Sequence, residues 1–210
     1  VTNYELHKGL YSGHNDHNYF EIAHTIRREF DENGGIYKGR TLYSFADNHD
    51  VDRLASKLNN KAHMFPEYTL LYTLPGIPSI YYGSEWGIEG RKEGGNDGPA
   101  LNLAEMEEKY KDCQLTEHIR MLGRLKKELS PLSEGKYREL LLTNRQYAFA
   151  RIQDDKAVIV AVNNDENPAH VSIPVPAGGN AVNAVTGEPV NVENGRINAE
   201  LSPAGSLIVS

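Results

Sequence analysis

Asp47-Asn48-His49-Asp50 sets an imidazole and two carboxylates within four residues, directly after the short apolar run Thr41-Leu-Tyr-Ser-Phe-Ala46. Imidazole and carboxylate are the side chains that most often move protons or bind polar substrates through charged hydrogen bonds. The run before them reads as a buried strand. Beyond the C-terminal end of such a strand is where a barrel enzyme keeps its catalytic groups. A plainer reading stands beside this one: Asp50 N-caps a helix that begins at Val51, and His49 is a solvated loop residue. Arg53 follows Asp50 by three residues, a spacing at which it either folds back to orient that carboxylate or faces solvent.

Other residues invite chemistry less strongly. His14-Asn15-Asp16-His17 has metal-ligand types, but a transition-metal site needs more ligands and an outer shell, so it reads as a solvated loop at the start of a helix. Glu5, Glu85 and Glu89 fall at or after strand ends without further support. Trp86 lies in a loop, where an indole face can stack on the C–H side of a sugar, whereas Tyr81 and Tyr82 read first as strand core. Cys113 is the only cysteine, which excludes an internal disulfide and a Cys-based zinc site. It has no base partner in view. A formal charge of -7 argues against nucleic acid or an anionic membrane surface as partner. There is no membrane-length apolar run. Localisation stays open, the single cysteine leaning toward a cytoplasmic over a secreted setting.

The elements that must position these residues alternate over the first two-thirds of the chain. Val1 to Tyr4 closes a strand, and Asn18 to Phe30 has Tyr19, Ile22, Ala23, Ile26 and Phe30 at helical spacing. After the strand at 41–46 come helical stretches at 51–58 and 63–74, the second ended by Pro75-Gly76. Ile77 to Tyr82 is the next strand, and Gly83 to Leu103 is a Gly-rich loop too long for a plain connector. Thr116 to Leu129 is an amphipathic helix stopped by Ser130-Pro131. Short apolar strands alternating with helices predict a parallel sheet covered by helices. From about Tyr137 the pattern changes to short period-2 runs, from Arg138–Leu142 to Ser206–Val209. Turn signals such as Asp154-Asp155, Gly178-Gly179 and Asn194-Gly195 separate them, which predicts a small antiparallel sandwich. The expected domains are 1–135 and 136–210.

A second segment, Leu74-Pro-Gly-Ile-Pro-Ser-Ile-Tyr-Tyr-Gly-Ser-Glu85, lies one helix beyond the Asn48-His49-Asp50 triplet. Together, in that order, the two resemble the α-amylase family (glycoside hydrolase family 13), whose seventh barrel strand ends in N-H-D and whose eighth reads P-G-x-P-x-I-Y-Y-G-[DS]-E. The start of the chain is similar to the sixth strand and helix of the neopullulanase and cyclomaltodextrinase branch. The resemblance implies an α/β fold: strands 6–8 of a (β/α)8 TIM barrel with their helices, then an all-β antiparallel sandwich. It implies a retaining glycosidase acting on α-glucans or maltooligosaccharides. Asp50 takes the place of the family's third catalytic acid, which hydrogen-bonds sugar hydroxyls at the reacting ring. His49 and Asn48 take substrate-binding places, with Trp86 and Arg53 as further candidates.

The resemblance puts the nucleophile and the general acid on strands four and five, ahead of Val1, so the chain alone is expected to be inactive. It departs from the family after strand eight, where Asn96-Asp97-Gly98-Pro99 is followed by Ala100-Leu101-Asn102-Leu103 and the substrate-gripping arginine is missing. No cofactor or metal ligand is read from these residues, and calcium binding elsewhere in the parent stays open. Three strands do not close a barrel, so the partners expected besides the glucan are the remainder of the barrel or a second copy of the chain. The alternative from another class is a non-catalytic relative that binds carbohydrate or serves as an interaction protein.

Overall fold

The computed structural model describes residues 1–92, 101–176 and 181–210. The Asn96–Ala100 part of the missing-arginine loop and the Gly178-Gly179 turn lie outside the described residues.

The chain starts as a parallel partner rather than a full strand. Thr2 bridges Tyr43, and the Asn3 amide donates to the Tyr43 carbonyl at 2.8 Å. Helix α1 (Tyr4–Asn15) follows at once, its first turn closed by the Asn3 side chain, which accepts from the Leu6 amide at 2.9 Å. The expected strand through Tyr4 therefore ends by Asn3, and the expected loop at His14-Asn15 is the last turn of this helix. The helix escapes a periodicity search because its buried face carries His7, Gly9, Gly13 and His14 beside only Leu6 and Leu10. Those glycines let α1 lie close on α2 (Phe20–Phe30). A β-carbon at Gly13 would sit 3.2 Å from both the Asn18 carbonyl oxygen and the Ile22 side chain.

Strands β1 (Tyr43–Phe45) and β2 (Ile77–Ser79) pair in parallel, Tyr43 with Ile77 and Phe45 with Ser79. The crossover between them is α3 (Leu54–Lys57), a 3-10 turn at Lys61–His63 and α4 (Met64–Thr73). Both strands are shorter than the apolar runs suggested, because the chain turns toward the site immediately after Phe45 and Ser79. Gly76 is obligatory at the start of β2: its φ is +130°, and a β-carbon there would lie 2.6 Å from the Ser44 hydroxyl. After a 3-10 turn at Ser84–Trp86 come α5 (Leu103–Lys109), α6 (Gln114–Glu128) and α7 (Ser130–Glu134). Helix α5 buries none of its residues, so it left no apolar stripe to read. Ser130-Pro131 ends α6 as expected and also opens α7, with proline at the start, where its missing N–H costs nothing.

The C-terminal part is antiparallel throughout. Strands β3 (Lys136–Leu142), β4 (Gln146–Gln153), β5 (Lys156–Asn163), β6 (Ala169–Pro174), β7 (Ala181–Val182), β8 (Pro189–Val190), β9 (Val192–Glu193), β10 (Arg196–Leu201) and β11 (Ser206–Val209) form three sheets. Their orders are β11-β5-β4-β3, β6-β10-β9 and β7-β8. Ala148, Ala150, Ile159 and Ala161 face Val171, Ile173 and Ile197 across the sandwich. The alternate residues Tyr147, Phe149, Val158 and Val160 point the other way, into one core with Leu70, Leu71, Leu122 and Leu132 of the helical part. The sandwich thus packs against α2, α4 and α7, more than its position in the chain implied.

Candidate active site

The residues after β1 and those after β2 form two loops side by side, stitched together by buried polar groups. Asp47 is 2% exposed, and one of its oxygens accepts from the Leu54 amide at 2.7 Å and the Ser84 hydroxyl at 2.8 Å. Burial raises its pKa, against the lowering effect of those two hydrogen bonds. Ser84 in turn accepts from the Arg53 guanidinium at 3.1 Å, and the same nitrogen donates to the Tyr82 carbonyl at 2.9 Å. The Arg53 guanidinium also lies 4.6 Å above the Tyr81 ring. Farther out, the Arg53 amide donates to the Gly90 carbonyl, and the Lys92 amide donates to Asp52 at 2.7 Å.

On this base the triplet turns outward. The Asn48 side chain accepts from the Asp50 amide at 2.8 Å, which closes the turn and presents His49 and Asp50 to solvent. Asp50 Oδ1 lies 3.3 Å from Lys92 Nζ; Oδ2 lies 3.3 Å from the Tyr4 hydroxyl and 3.5 Å from His49 Nε2. The Lys92 ammonium also donates to the His49 carbonyl at 3.0 Å. The hydrogen bond from Lys92 is the largest of the influences that hold the Asp50 carboxyl below its ordinary range. Behind it, His7 stacks on Phe45 at 4.8 Å and donates from Nδ1 to the Ala46 carbonyl at 2.8 Å. Burial depresses its pKa to about 4, which keeps the ring neutral and that proton in place.

Each residue expected from sequence has a definite place. Asn48, His49 and Asp50 come together at the C-terminal end of the parallel strands. Asp50 does not cap a helix: α3 begins at Leu54, and the carboxylate on its first amide belongs to Asp47. Arg53 needs correction. It neither touches Asp50 nor faces solvent; it is 8% exposed, with its guanidinium engaged by Tyr82, Ser84 and Tyr81, because the bend after Asp50 turns it under the second loop. Its arrangement suits positioning the loops rather than gripping a ligand, although its edge lines a shallow pocket with Asn48, His49 and Lys92. Trp86 is half-buried and stacks on Tyr110 at 5.9 Å, so one indole face is taken. Tyr82 is 40% exposed, and Tyr81 packs under Arg53, so neither is buried strand core. Tyr4, Asp47, Ser84 and Lys92 were not singled out by sequence reasoning. Asp47 and Ser84 had a signal, their places in the acidic tetrapeptide and in the segment Leu74–Glu85.

The family model for the α-amylase catalytic domain matches residues 15–128, and that for the neopullulanase-like C-terminal domain matches 137–210. Neopullulanase 2 of Thermoactinomyces vulgaris is 31% identical over 80% of this chain and 29% of its own. A cyclomaltodextrinase of Geobacillus thermopakistaniensis is 26% identical over 79% and 28%. The chain therefore spans less than a third of the length of these relatives. A solved cyclomaltodextrinase structure superposes with a TM-score of 0.85 at 19% identity, covering 100% of this chain and 36% of that one, a likeness of fold. The N-H-D turn at the end of β1, the proline-bearing strand beside it with the tyrosine pair that follows, and a family match over more than half the residues lead to one conclusion: this chain belongs to the α-amylase family of glycoside hydrolases.

Proposed function

We propose that this chain supplies the sugar-holding side of the active site of a retaining glycosidase that hydrolyses α-glucosidic bonds in maltooligosaccharides or related α-glucans. The observation that carries the reading is the Asp50 carboxylate, exposed at the C-terminal end of parallel strands and kept ionised by Lys92. An ionised aspartate is a pure acceptor with two oxygens, suited to two vicinal sugar hydroxyls. Hydrogen bonds that strengthen as the ring distorts toward an oxocarbenium-like transition state lower the barrier rather than only the KM. His49, on the same turn, takes a third hydroxyl, and Tyr4 and Lys92 hold Asp50 without consuming all its acceptor sites. Retention further requires a nucleophile and an acid roughly 5–5.5 Å apart. The reading places both on the barrel's fourth and fifth strands; the fifth pairs with the exposed edge at Thr2, and the first closes the barrel on the edge at Ile77. Those strands, with the glucan, are the partners proposed here.

The test is Asp50→Ala in an enzyme that carries this chain together with the strands that complete its barrel. Turnover on maltotriose is expected to fall by about two orders of magnitude or more, the scale of losing a transition-state hydrogen-bonding group. The 210-residue chain by itself is expected to release no reducing sugar. Near-wild-type turnover by the variant, or hydrolysis by the purified chain alone, would refute the assignment.

A further inference from the structure

Away from the Asp50 turn, three residues from distant parts of the sequence converge where the helical part meets the sandwich. His17 lies in the turn between α1 and α2, His63 ends the 3-10 turn before α4, and Glu166 lies in the turn between β5 and β6. One ligating atom from each falls within 4.8 Å of the others. His17 has φ of +47°, an unusual backbone for a non-glycine residue, and its Nδ1 donates to the Asn164 carbonyl at 2.8 Å. That bond fixes the tautomer and leaves Nε2 as a lone pair 3.2 Å from Glu166 Oε1. A lone pair facing a carboxylate is repulsive unless a proton or a cation lies between them.

His63 decides between the two. It is 2% exposed, and neither of its ring nitrogens makes a well-formed hydrogen bond, although the Asn164 backbone lies close by. Leaving such a buried group unsatisfied is destabilising. A proton on His17 would satisfy Glu166 but leave His63 untouched, whereas a metal ion engages Glu166, His17 and one ring nitrogen of His63. We propose that His17, His63 and Glu166 bind one divalent transition-metal ion, zinc by the chemistry of the donors, and that it clamps the helical part to the sandwich.

The surroundings fit such a site. Two imidazoles and one carboxylate are a set that zinc takes with water as the fourth ligand, while calcium and magnesium prefer oxygen donors throughout. A backbone carbonyl on the far nitrogen of a metal-bound histidine is the usual outer support. Arg145 approaches the other Glu166 oxygen at 3.5 Å and Asp165 at 3.4 Å, leaving Oε1 as a single ligand atom. Ligands around a tetrahedral zinc stand about 3.4 Å apart, so the site closes by about an ångström on binding. Glu166, the exposed member, can make that movement.

The test uses the full chain, stripped with chelator and titrated with Zn2+ or Co2+. One ion per chain is expected to bind with micromolar or tighter Kd and to raise the melting temperature, with the Co2+ form showing visible bands of a four- or five-coordinate site. Ca2+ at the same concentration should do neither. Glu166→Gln, at an exposed position that leaves packing intact, should weaken binding at least about tenfold, and His63→Gln should abolish the Co2+ bands. Absence of stoichiometric Zn2+ and Co2+ binding by the folded wild-type chain would overturn the proposal. So would binding that is unchanged in Glu166→Gln and His17→Gln.

Discussion

Replacing Ser84 by alanine removes the one hydroxyl that links the loop after β2 to the loop after β1. In the native chain that hydroxyl donates to the buried Asp47 carboxylate at 2.8 Å and accepts from Arg53 at 3.1 Å. A hydrogen bond to a charged buried acceptor contributes about 1.5–3 kcal/mol net. After the substitution Asp47 keeps only the Leu54 amide, whereas Arg53 keeps the Tyr82 carbonyl and the Tyr81 ring, so most of the loss falls on Asp47. The expected destabilisation is about 2 kcal/mol near neutral pH, read from urea unfolding with an unchanged slope. Ser84→Thr, which keeps the hydroxyl, should recover most of it. The sign of its pH dependence follows from the bond itself. Ser84 favours ionised Asp47, whose folded pKa burial has raised, so the penalty is full above that pKa and fades as pH falls through it. A loss under about 0.5 kcal/mol at pH 7, or one that grows on acidification, would show that Ser84 does not hold the loops together.

Two further outcomes can be measured on the same chain. Arg151→Met removes four hydrogen bonds from a 2%-exposed guanidinium to the Thr73, Leu132 and Gly135 carbonyls. Losing these charge-assisted donors leaves the buried carbonyls they satisfied without partners, so urea unfolding should show a loss of about 3 kcal/mol or more; a neutral outcome would refute the bridge. His14 is fully buried, and desolvation depresses its pKa from 6.5 to about 3. Its contribution to stability is complete above the ordinary value and is lost as pH falls toward the folded one. At about pH 4.5 that is roughly 3 kcal/mol, and His14→Gln should flatten this limb of the stability profile.

Legibility from sequence followed the chemistry of each segment. Asp50 and His49 were readable because their types and order sit at the end of an apolar run, and local order is what a motif preserves. Sequence alone gave Arg53 the wrong neighbours, because three residues of spacing say nothing about a bend that carries it under another loop. Lys92 and Tyr4 reach Asp50 from 42 and 46 residues away, with no local pattern to announce them. Helix α1 was hidden for a different reason: glycine and histidine on its buried face serve close helix packing and a hydrogen bond to Ala46, neither of which raises hydrophobic periodicity. The sandwich strands were legible as alternation, but β4 reads as almost continuously buried because both of its faces are covered.

That double covering ties the sandwich to the strand that carries the site. Arg151 projects from β4 and donates to the carbonyl of Thr73, the last residue of α4, four residues before β2 begins. At the far end of the same strand, Ser84 and Arg53 bind the following loop to Asp47. Strand β2 is therefore fastened twice, by the sandwich at its N-terminal end and by the loop after β1 at its C-terminal end. In a barrel the first end serves stability and the second serves chemistry. The two variants should separate accordingly in a complete enzyme. Arg151→Met should lower the unfolding midpoint and leave kcat/KM almost unchanged below it. Ser84→Ala, with a smaller stability loss, should lower kcat/KM, because it loosens the turn that presents Asp50 and His49.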